Sequence, residues 1–352
     1  MDIKQLLQNL VDTKASDLHL ISGIPPTVRI DGELAPLANA GVLTPDNIGE
    51  LLKQVLTTEQ VERLTVNKEI DFSLPFSDKA RFRVNAYTQK NSLAAAFRQI
   101  PLTIPGIESL GLPNILHTFA GLRQGFVLVT GPTGHGKSTT LAAMLNEINQ
   151  TRGCHIVTIE DPIEFVFKSA KSIVSQREMR TDSHSWEIAL RSVLREDPDV
   201  VLVGEMRDYE TIAAALTVAE TGHLVFATLH TNSAAQTIDR IVDVFPDEQQ
   251  RQVRLQLSNV IEAVFSQRLI PSTSKGRVVA YEVMLGTTAI KTAIRDNKTH
   301  QIESILETSQ EAGMSTIERS LADLVKRGLV GIEVAQSWSL RPEELARLVR
   351  SV

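Results

Sequence analysis

The first hundred residues alternate apolar and polar positions over short stretches, which predicts an α+β domain. Residues 81–86 alternate in this way, so Arg81, Arg83 and Asn85 are expected on one face of a strand. Residues 45–64 predict one helix, with Thr44 as its N-cap and Pro45 at its first position. Strands are predicted at residues 17–21, 27–30, 70–74, 81–87 and 93–100.

Further along the chain the pattern changes to near-continuous apolar strands separated by helices, which predicts a parallel sheet covered on both faces. These strands are predicted at 126–130, 155–159, 200–203 and 224–228, with helices that include 138–149 and 185–195. After Pro246 helices are expected to dominate, with one strand at 277–285. Prolines and glycines at 101–115 indicate a hinge, so the predicted scheme is a domain at 1–100, a linker at 101–115 and an α/β domain at 116–352.

Composition and charge narrow the class of protein. The chain of 352 residues has a formal net charge of −6, which disfavours a dedicated nucleic-acid binder because such an interface needs a basic excess. One cysteine excludes an internal disulfide framework and a cysteine-rich zinc site. No apolar run approaches the ~20 residues of a membrane span, and the start lacks a signal-peptide pattern. We therefore expect a cytoplasmic protein that reaches a membrane only through a partner.

The segment after the strand at 126–130 matches the phosphate-binding loop pattern and precedes a helix. In such a loop, backbone N–H groups surround phosphates, the lysine contacts the outer phosphates and the hydroxyl after it binds Mg²⁺. The pattern of a guanine-reading Asn-Lys-x-Asp motif is not met at Asn67 or Asn297, so ATP is the expected nucleotide. The predicted nucleotide-binding residues are Gly131, Pro132, Thr133, Gly134, His135, Gly136, Lys137, Ser138 and Thr139.

Two acidic segments follow predicted parallel strands, at the edge of the sheet where ligands bind. The first holds Glu160, Asp161 and Glu164, one of which would orient an attacking water, unless the segment is only a solvated turn. In the second, Gly204 separates the strand from Glu205, a variant of the Walker B pattern whose acid holds Mg²⁺ through water. The division of the metal and water-positioning roles between Glu164 and Glu205 stays open at this stage.

Two histidines flank the strand at 224–228. If that strand is continuous, His223 and His230 are about 23 Å apart and on opposite faces, so they cannot both contact one phosphate. His230 follows the strand and is the expected γ-phosphate sensor. We expect a structural or interface role for His223.

Together these motifs resemble the Walker A segment, Asp box, atypical Walker B segment and His box of the secretion and type IV pilus ATPase superfamily, the GspE/PilT family. Residues 15–20 resemble the start of that family's PAS-like N-terminal domain. The motifs at 174–178, 194–199, 242–246 and 289–296 resemble its pilus-retraction branch. The assembly branch is longer and usually carries a four-cysteine zinc site. The resemblance implies a PAS-like domain followed by a RecA-like P-loop ATPase domain with C-terminal helices.

For the site, the resemblance implies that Glu164 is the catalytic glutamate and that Glu205 is the Walker B acid. It also implies a six-membered ring with ATP and Mg²⁺ between subunits. Arg81, Arg83 and Arg98 of a neighbouring subunit are then candidate arginine fingers, the alternative being solvated residues on a strand face. Arg195 is a further candidate, ahead of Arg207, which is expected to form a local ion pair.

His135 departs from the family pattern, which usually has serine there, and we expect its side chain to face solvent while the backbone contacts of the loop survive. Residues 288–296 predict an amphipathic helix with Ala289, Ile290, Ala293 and Ile294 on its apolar side. In the retraction branch this segment is needed for retraction, so Arg295 is expected to couple the ring to its machinery.

The resemblance implies a cytoplasmic motor that powers pilus retraction and works at the inner face of the membrane. Its implied partners are other copies of the chain, an inner-membrane platform protein and a paralogous retraction ATPase. The alternatives are a pilus-assembly or type II secretion ATPase, a conjugation-type ATPase and a nucleotide-gated regulatory module. Intact Lys137, Glu164 and Glu205 disfavour the regulatory module.

Overall fold

The computed structural model describes residues 2–30, 33–37, 40–76, 80–100, 103–274 and 276–351. It divides into two compact units, one made of residues 1–103 with 162–166 and the other of 104–161 with 167–352. The segment 162–166 therefore groups with the first unit, although the sequence pattern had placed it with the second. Pro101 and Leu102 of the predicted linker, and the terminal residues Met1 and Val352 of the predicted domains, lie outside the described residues.

The first unit is an antiparallel sheet with helices on one face. Its strands run in the order β3-β2-β1-β6-β5-β4, and Leu18, Phe82 and Phe97 are fully buried in its core. The predicted alternation in β5 is confirmed, because Phe82 and Val84 are buried while Arg81 and Arg83 are half-buried on the other face. The elements are α1 (Ile3–Asp12), β1 (Asp17–Leu20), β2 (Thr27–Ile30), β3 (Glu33–Pro36), α2 (Pro45–Lys53), α3 (Thr58–Asn67), β4 (Glu69–Phe76), β5 (Ala80–Gln89) and β6 (Ser92–Ile100).

The single helix expected at 45–64 is wrong. The structure has two helices, α2 and α3, because Thr57 begins a new one as its N-cap. The Thr57 side chain accepts from the N–H of Gln60, and the Gln60 side chain accepts from the N–H of Thr57. This capping box was readable as Thr-x-x-Gln. The predicted start of α2 is confirmed, with Thr44 as N-cap and Pro45 in the first turn.

The second unit is a seven-stranded sheet in the order β13-β12-β7-β11-β10-β8-β9. Every neighbouring pair of strands is parallel except β12 and β13, and β7, β10 and β11 are buried along their whole length. The elements are α4 (Ile115–Gly121), β7 (Gly125–Thr130), α5 (Lys137–Thr151), β8 (His155–Glu160), β9 (Ile173–Glu178), α6 (Trp186–Val193), β10 (Val200–Val203), α7 (Tyr209–Glu220), β11 (Leu224–Leu229), α8 (Ala234–Asp243), α9 (Asp247–Val260), β12 (Ile261–Pro271), β13 (Arg277–Leu285), α10 (Thr288–Arg295), α11 (Ile302–Thr308), α12 (Ile317–Lys326), α13 (Ile332–Trp338) and α14 (Pro342–Arg350).

The expectation that helices occupy the chain from Pro246 to the strand at 277 is wrong for β12. This strand follows α9 without an intervening turn and lies between β7 and β13. Eight of its eleven residues are buried, and the polar residues Ser266, Gln267 and Arg268 are among them, so no alternation of apolar and polar positions marks the strand. The sheet therefore extends beyond the phosphate-loop strand by one hairpin.

Helix α10 begins after Thr287, its N-cap, whose hydroxyl oxygen accepts from the N–H of Ile290. Ile290, Ala293 and Ile294 are buried, as the pattern predicted. Ala289 is exposed, so the predicted apolar stripe is narrower than expected by one residue. Half of the Arg295 side chain is exposed, and its Nε lies 3.5 Å from Asp296 Oδ1.

Candidate functional site

The phosphate loop leaves the carboxyl end of β7 and enters α5, as the sequence predicted. Gly131, Gly134 and Gly136 have φ values of 140°, 79° and 83°, a region that side chains with a Cβ rarely adopt. A Cβ on Gly131 would lie 2.2 Å from the backbone oxygen of Gln267 in β12. The loop can therefore approach its neighbouring strand only with glycine at this position.

Three predicted site residues meet at the carboxyl ends of β7, β10 and β11. The Lys137 ammonium donates to the backbone oxygens of Gly131 at 2.9 Å and Pro132 at 3.0 Å. His230 Nδ1 lies 3.4 Å from Lys137 Nζ, and His230 Nε2 lies 3.0 Å from Glu205 Oε1. The chain of contacts thus joins the phosphate loop to the acid that follows β10.

The protonation of His230 follows from its neighbours. Burial lowers the pKa of His230 and the positive charge of Lys137 lowers it further, although Glu205 acts in the opposite direction. We assign a neutral ring that donates from Nε2 to Glu205 and accepts at Nδ1 from Lys137 and from the Thr133 hydroxyl, 3.2 Å away. His230 therefore contacts both Lys137 and Glu205 as a neutral side chain.

Glu205 is held in its ionised form by Arg207. Burial alone would raise the pKa of Glu205, but the hydrogen bond and positive charge of Arg207, with the charge of Lys137, lower it below its ordinary value. The two side chains make paired contacts of 2.7 Å and 2.8 Å. Arg207 thus forms the expected local ion pair. A Cβ on Gly204 would lie 3.1 Å from the backbone oxygen of Ile159, a tight contact that favours glycine before Glu205.

Arg195 is not brought to this cluster. It follows α6 and is exposed, near the beginning of the neighbouring strand β8, where His155 contacts the backbone oxygens of Glu196 and Asp197. Lys137 and Glu205 lie at the opposite, carboxyl edge of the sheet, roughly 17 Å away along a six-residue strand. Arg195 is therefore not a member of the site within one chain.

The three carboxylates of the Asp box have different surroundings. Glu160 is buried and accepts from the Thr158 hydroxyl at 2.6 Å and from Gln176 Nε2 at 3.2 Å. Asp161 Oδ2 lies 3.2 Å from Arg180 Nη2. The side chain of Glu164 is more accessible than that of Asp161, at 41% against 29%. Glu164 belongs to the first unit, where its Oε1 lies 3.7 Å from Arg83 Nη1.

The candidate finger arginines share one face of the first unit's sheet. Arg83 and Arg98 are directly opposed on β5 and β6. Arg83 lies 3.4 Å from Asp71, and Arg98 Nε donates to Asp17 at 2.8 Å. Arg81 is half-buried two residues before Arg83 on the same face. Arg98 is the most exposed of the ion-paired arginines of this face, with 71% of its side chain accessible.

The expectation that the His135 side chain faces solvent is wrong. Its Nδ1 accepts from the backbone N–H of Leu269 at 2.9 Å, and its ring lies 5.5 Å from that of Trp338. Gln267, which sequence reasoning missed, donates from Nε2 to the His135 backbone oxygen at 2.7 Å and accepts from the Thr140 hydroxyl at 2.7 Å. Gln267 lies on the strand β12 that the pattern did not reveal, so the sequence held no signal for its role.

Other predicted residues keep the expected places. His223 lies before β11 and its Nδ1 contacts the Val218 backbone oxygen at 3.0 Å, which suits a structural role. Ser138 and Thr139 follow Lys137 in the first turn of α5. Across the described residues, no group of three or more His, Cys, Asp or Glu side chains could hold a metal ion by itself. No helix in that part of the chain is long and apolar enough to cross a membrane.

Comparison with known proteins places this arrangement in a family. Residues 1–336 match the family model described as "Type II/IV secretion system protein". The chain belongs to that family. The matched residues include the whole first unit and most of the second.

Relatives within the family cover nearly the full length. The chain is 48% identical over 343 residues to the "Type IV pilus retractation ATPase PilT" of Pseudomonas aeruginosa, which is 97% of this chain and 99% of that protein. It is 48% identical to the "Twitching motility protein" of Neisseria gonorrhoeae, covering 91% of this chain and 86% of that one. The crystal structure of the pilus retraction motor PilT with bound ADP superposes with a TM-score of 0.92 at 47% identity, over 99% of both chains. The α/β fold with a PAS-like domain and a RecA-like domain is thereby confirmed.

Proposed function

We propose that this chain is an ATP-hydrolysing motor that powers type IV pilus retraction. The observation that carries the proposal is the contact chain from Lys137 through His230 to Glu205 at the end of the phosphate-loop strand. Near-full-length identity to a protein named as a pilus retractation ATPase supports the choice of retraction. A related motor that was crystallised with ADP supports nucleotide binding at this loop.

In the proposed reaction, the loop N–H groups and Lys137 bind the phosphates of ATP. The hydroxyl of Ser138 and, through water, the ionised Glu205 fit a Mg²⁺ ion, which supplies positive charge to the phosphates. Neutral His230 contacts both Lys137 and Glu205, so a change of charge at the γ-phosphate reaches the acid through one side chain.

Glu164 is proposed as the residue that orients the attacking water. Among the Asp-box acids, Glu160 is buried under two hydrogen bonds and Asp161 is paired with Arg180, whereas 41% of the Glu164 side chain is accessible. Accessibility suits a carboxylate that must reach water. The proximity of Arg83 at 3.7 Å gives Glu164 an ionised partner within its own compact unit.

We further propose a hexamer in which the arginine-rich face of one subunit's first unit serves the nucleotide of another. Of the two ion-paired candidates, Arg98 has the more accessible side chain, at 71% against 38% for Arg83. Arg81 lies on the same face. The proposed partners are an inner-membrane platform protein and a paralogous retraction ATPase, at the cytoplasmic face of the membrane. A pilus-assembly or secretion ATPase remains the second candidate, and the near-full-length match to the retraction protein favours the first.

Phosphate release by the purified chain tests the enzymatic part of the proposal. We expect turnover with ATP and Mg²⁺ by the wild-type chain, and loss of turnover in Lys137→Ala, because this ammonium is the positive charge held inside the loop. Lys291→Ala, which removes an equal charge from α10, is the matched control and should keep its turnover. Equal turnover in wild type and Lys137→Ala would reject the assignment of this loop.

A further inference from the structure

The phosphate loop is held from outside by the hairpin of β12 and β13. β7 ends at Thr130, which pairs with Ser266, so on that side the following residues of β12 lie beside the loop, while their other side pairs with β13. From that position the Leu269 N–H donates to His135 Nδ1 at 2.9 Å and Gln267 Nε2 donates to the His135 backbone oxygen at 2.7 Å. Two polar groups of this one loop residue, its carbonyl oxygen and its Nδ1, are therefore hydrogen-bonded to β12.

The same strand also joins the loop to two helices. Gln267 is 1% exposed and accepts from the Thr140 hydroxyl in the first turn of α5, so one side chain contacts both the loop and the helix that follows it. On the other side, the His135 ring packs on Trp338 of α13, and Arg268 Nη1 donates to the Trp338 backbone oxygen at 2.5 Å. The loop thus has a continuous connection to the C-terminal helices.

We propose that His135 is a positioning residue whose neutral ring fastens the phosphate loop to β12 and thereby strengthens nucleotide binding. The inference rests on the proposed binding of nucleotide at this loop. His135 acts through the backbone of the loop, since its ring is engaged by Leu269 and Trp338. A ring nitrogen can accept from an N–H only when it carries no proton, so the fastening requires the unprotonated Nδ1.

The surroundings favour that form of the ring. Burial lowers the pKa of His135, and the positive charges of Arg277 on β13, Lys137 on α5 and Arg268 on β12 lower it further. The neighbouring element α13 contributes the uncharged ring of Trp338. The hydrogen bond is thus retained at neutral pH and is lost only as the pH falls below the ordinary range of a histidine. Nucleotide affinity should weaken in the same direction.

Three variants separate the hydrogen bond from the packing of the ring. In His135→Asn the amide oxygen can accept from Leu269 N–H and does not titrate. His135→Phe keeps a ring against Trp338 but has no acceptor. His135→Ser has neither the ring nor the reach, and it replaces the phenylalanine variant if that protein does not fold. Circular dichroism and urea unfolding establish folding before binding is measured.

The probe is fluorescent mant-ADP with Mg²⁺, titrated by anisotropy between pH 5 and pH 8. At pH 8 we expect His135→Asn to bind within about twofold of wild type, and His135→Phe and His135→Ser to bind about fivefold more weakly, the net effect of one hydrogen bond. In steady-state turnover the same variants should raise KM with kcat preserved. Wild-type affinity should fall towards pH 5 more steeply than that of His135→Asn.

The outcomes distinguish this inference from the proposed function. If wild type binds mant-ADP and His135→Phe and His135→Ser bind equally well, the loop does not depend on the fastening and the inference is wrong. It is also wrong if His135→Asn is as weak as His135→Phe, or if both keep the pH dependence of wild type. If wild type itself fails to bind mant-ADP, the proposed nucleotide site is what has failed.

Discussion

Replacing Glu282 by glutamine should change how the stability of the second unit depends on pH. Glu282 is 6% exposed on β13, and its Oε1 accepts from the N–H of Ala234 at 2.6 Å, at the start of α8 just beyond His230. Burial raises the pKa of Glu282 to about 7, and the charges of Glu318 and Glu303 act in the same direction. The folded protein therefore keeps a proton on this carboxyl well above the pH at which the unfolded chain loses it.

The sign and size of the effect follow from this shift. Because the folded pKa is raised, the stability that the protonated carboxyl contributes is complete below about 4.5 and is lost as the pH rises through about 7. A shift from 4.5 to about 7, at about 1.4 kcal/mol per unit, corresponds to roughly 3 kcal/mol, most of it lost between pH 5 and pH 8. Glutamine can still accept from Ala234 and never ionises. We expect Glu282→Gln to be about 2 kcal/mol more stable than wild type at pH 8, after the cost of a buried amide.

Urea unfolding followed by tryptophan fluorescence measures the free energy of unfolding of the second unit, which contains Glu282. The chain has two tryptophans, Trp186 and Trp338, and both lie in the second unit. Glu311→Gln removes one charge from an exposed position and should keep the pH dependence of the wild type. The reasoning is refuted if Glu282→Gln is destabilised equally at pH 5 and pH 8. The carboxylate of Glu282 would then be ionised in the folded protein, and stabilised by its neighbours, at both pH values.

Three further predictions concern the chemistry and its coupling. Glu164→Gln should bind ATP but slow hydrolysis at least about a hundredfold, measured by nucleotide retention and phosphate release; if Glu205→Gln instead traps ATP, the two roles are exchanged. Arg98→Ala should lower turnover of the assembled protein, whereas Arg29→Ala, which removes another arginine beside Asp17, should not; equal losses in both would reduce Arg98 to an ion-pair partner of Asp17. Arg295→Ala should keep ATP turnover and lose retraction in cells, with Lys298→Ala as the neighbouring control, and a parallel loss of turnover would make α10 structural.

The sequence predicted the parts of the fold that local pattern controls. The phosphate loop, the buried parallel strands and the N-cap of α2 are encoded in adjacent residues, and each is found where it was expected. The capping box at Thr57 was equally local and was overlooked. Strand β12 was not predictable in the same way, since buried polar residues interrupt its apolar positions and leave no alternation along it.

The supports of the site depend on contacts between distant residues. Gln267 contacts Thr140 and His135, which are 127 and 132 residues away along the chain, so no local pattern connects them. The expectation that the His135 side chain faces solvent is wrong for the same reason, because the side chain accepts a hydrogen bond from a backbone N–H of β12. The motif that contains Arg195 predicts a place in the site, but this segment lies at the opposite edge of the sheet from Lys137.

The number of surface pili on cells that lack this protein tests the central claim most directly. Pili are counted by electron microscopy, and the deletion strain is complemented with the wild-type chain or with Lys137→Ala. A retraction motor predicts excess pili that do not retract in the deletion strain, a return to normal with wild type, and no return with Lys137→Ala. Cells without pili would contradict retraction and identify the chain as a motor for assembly.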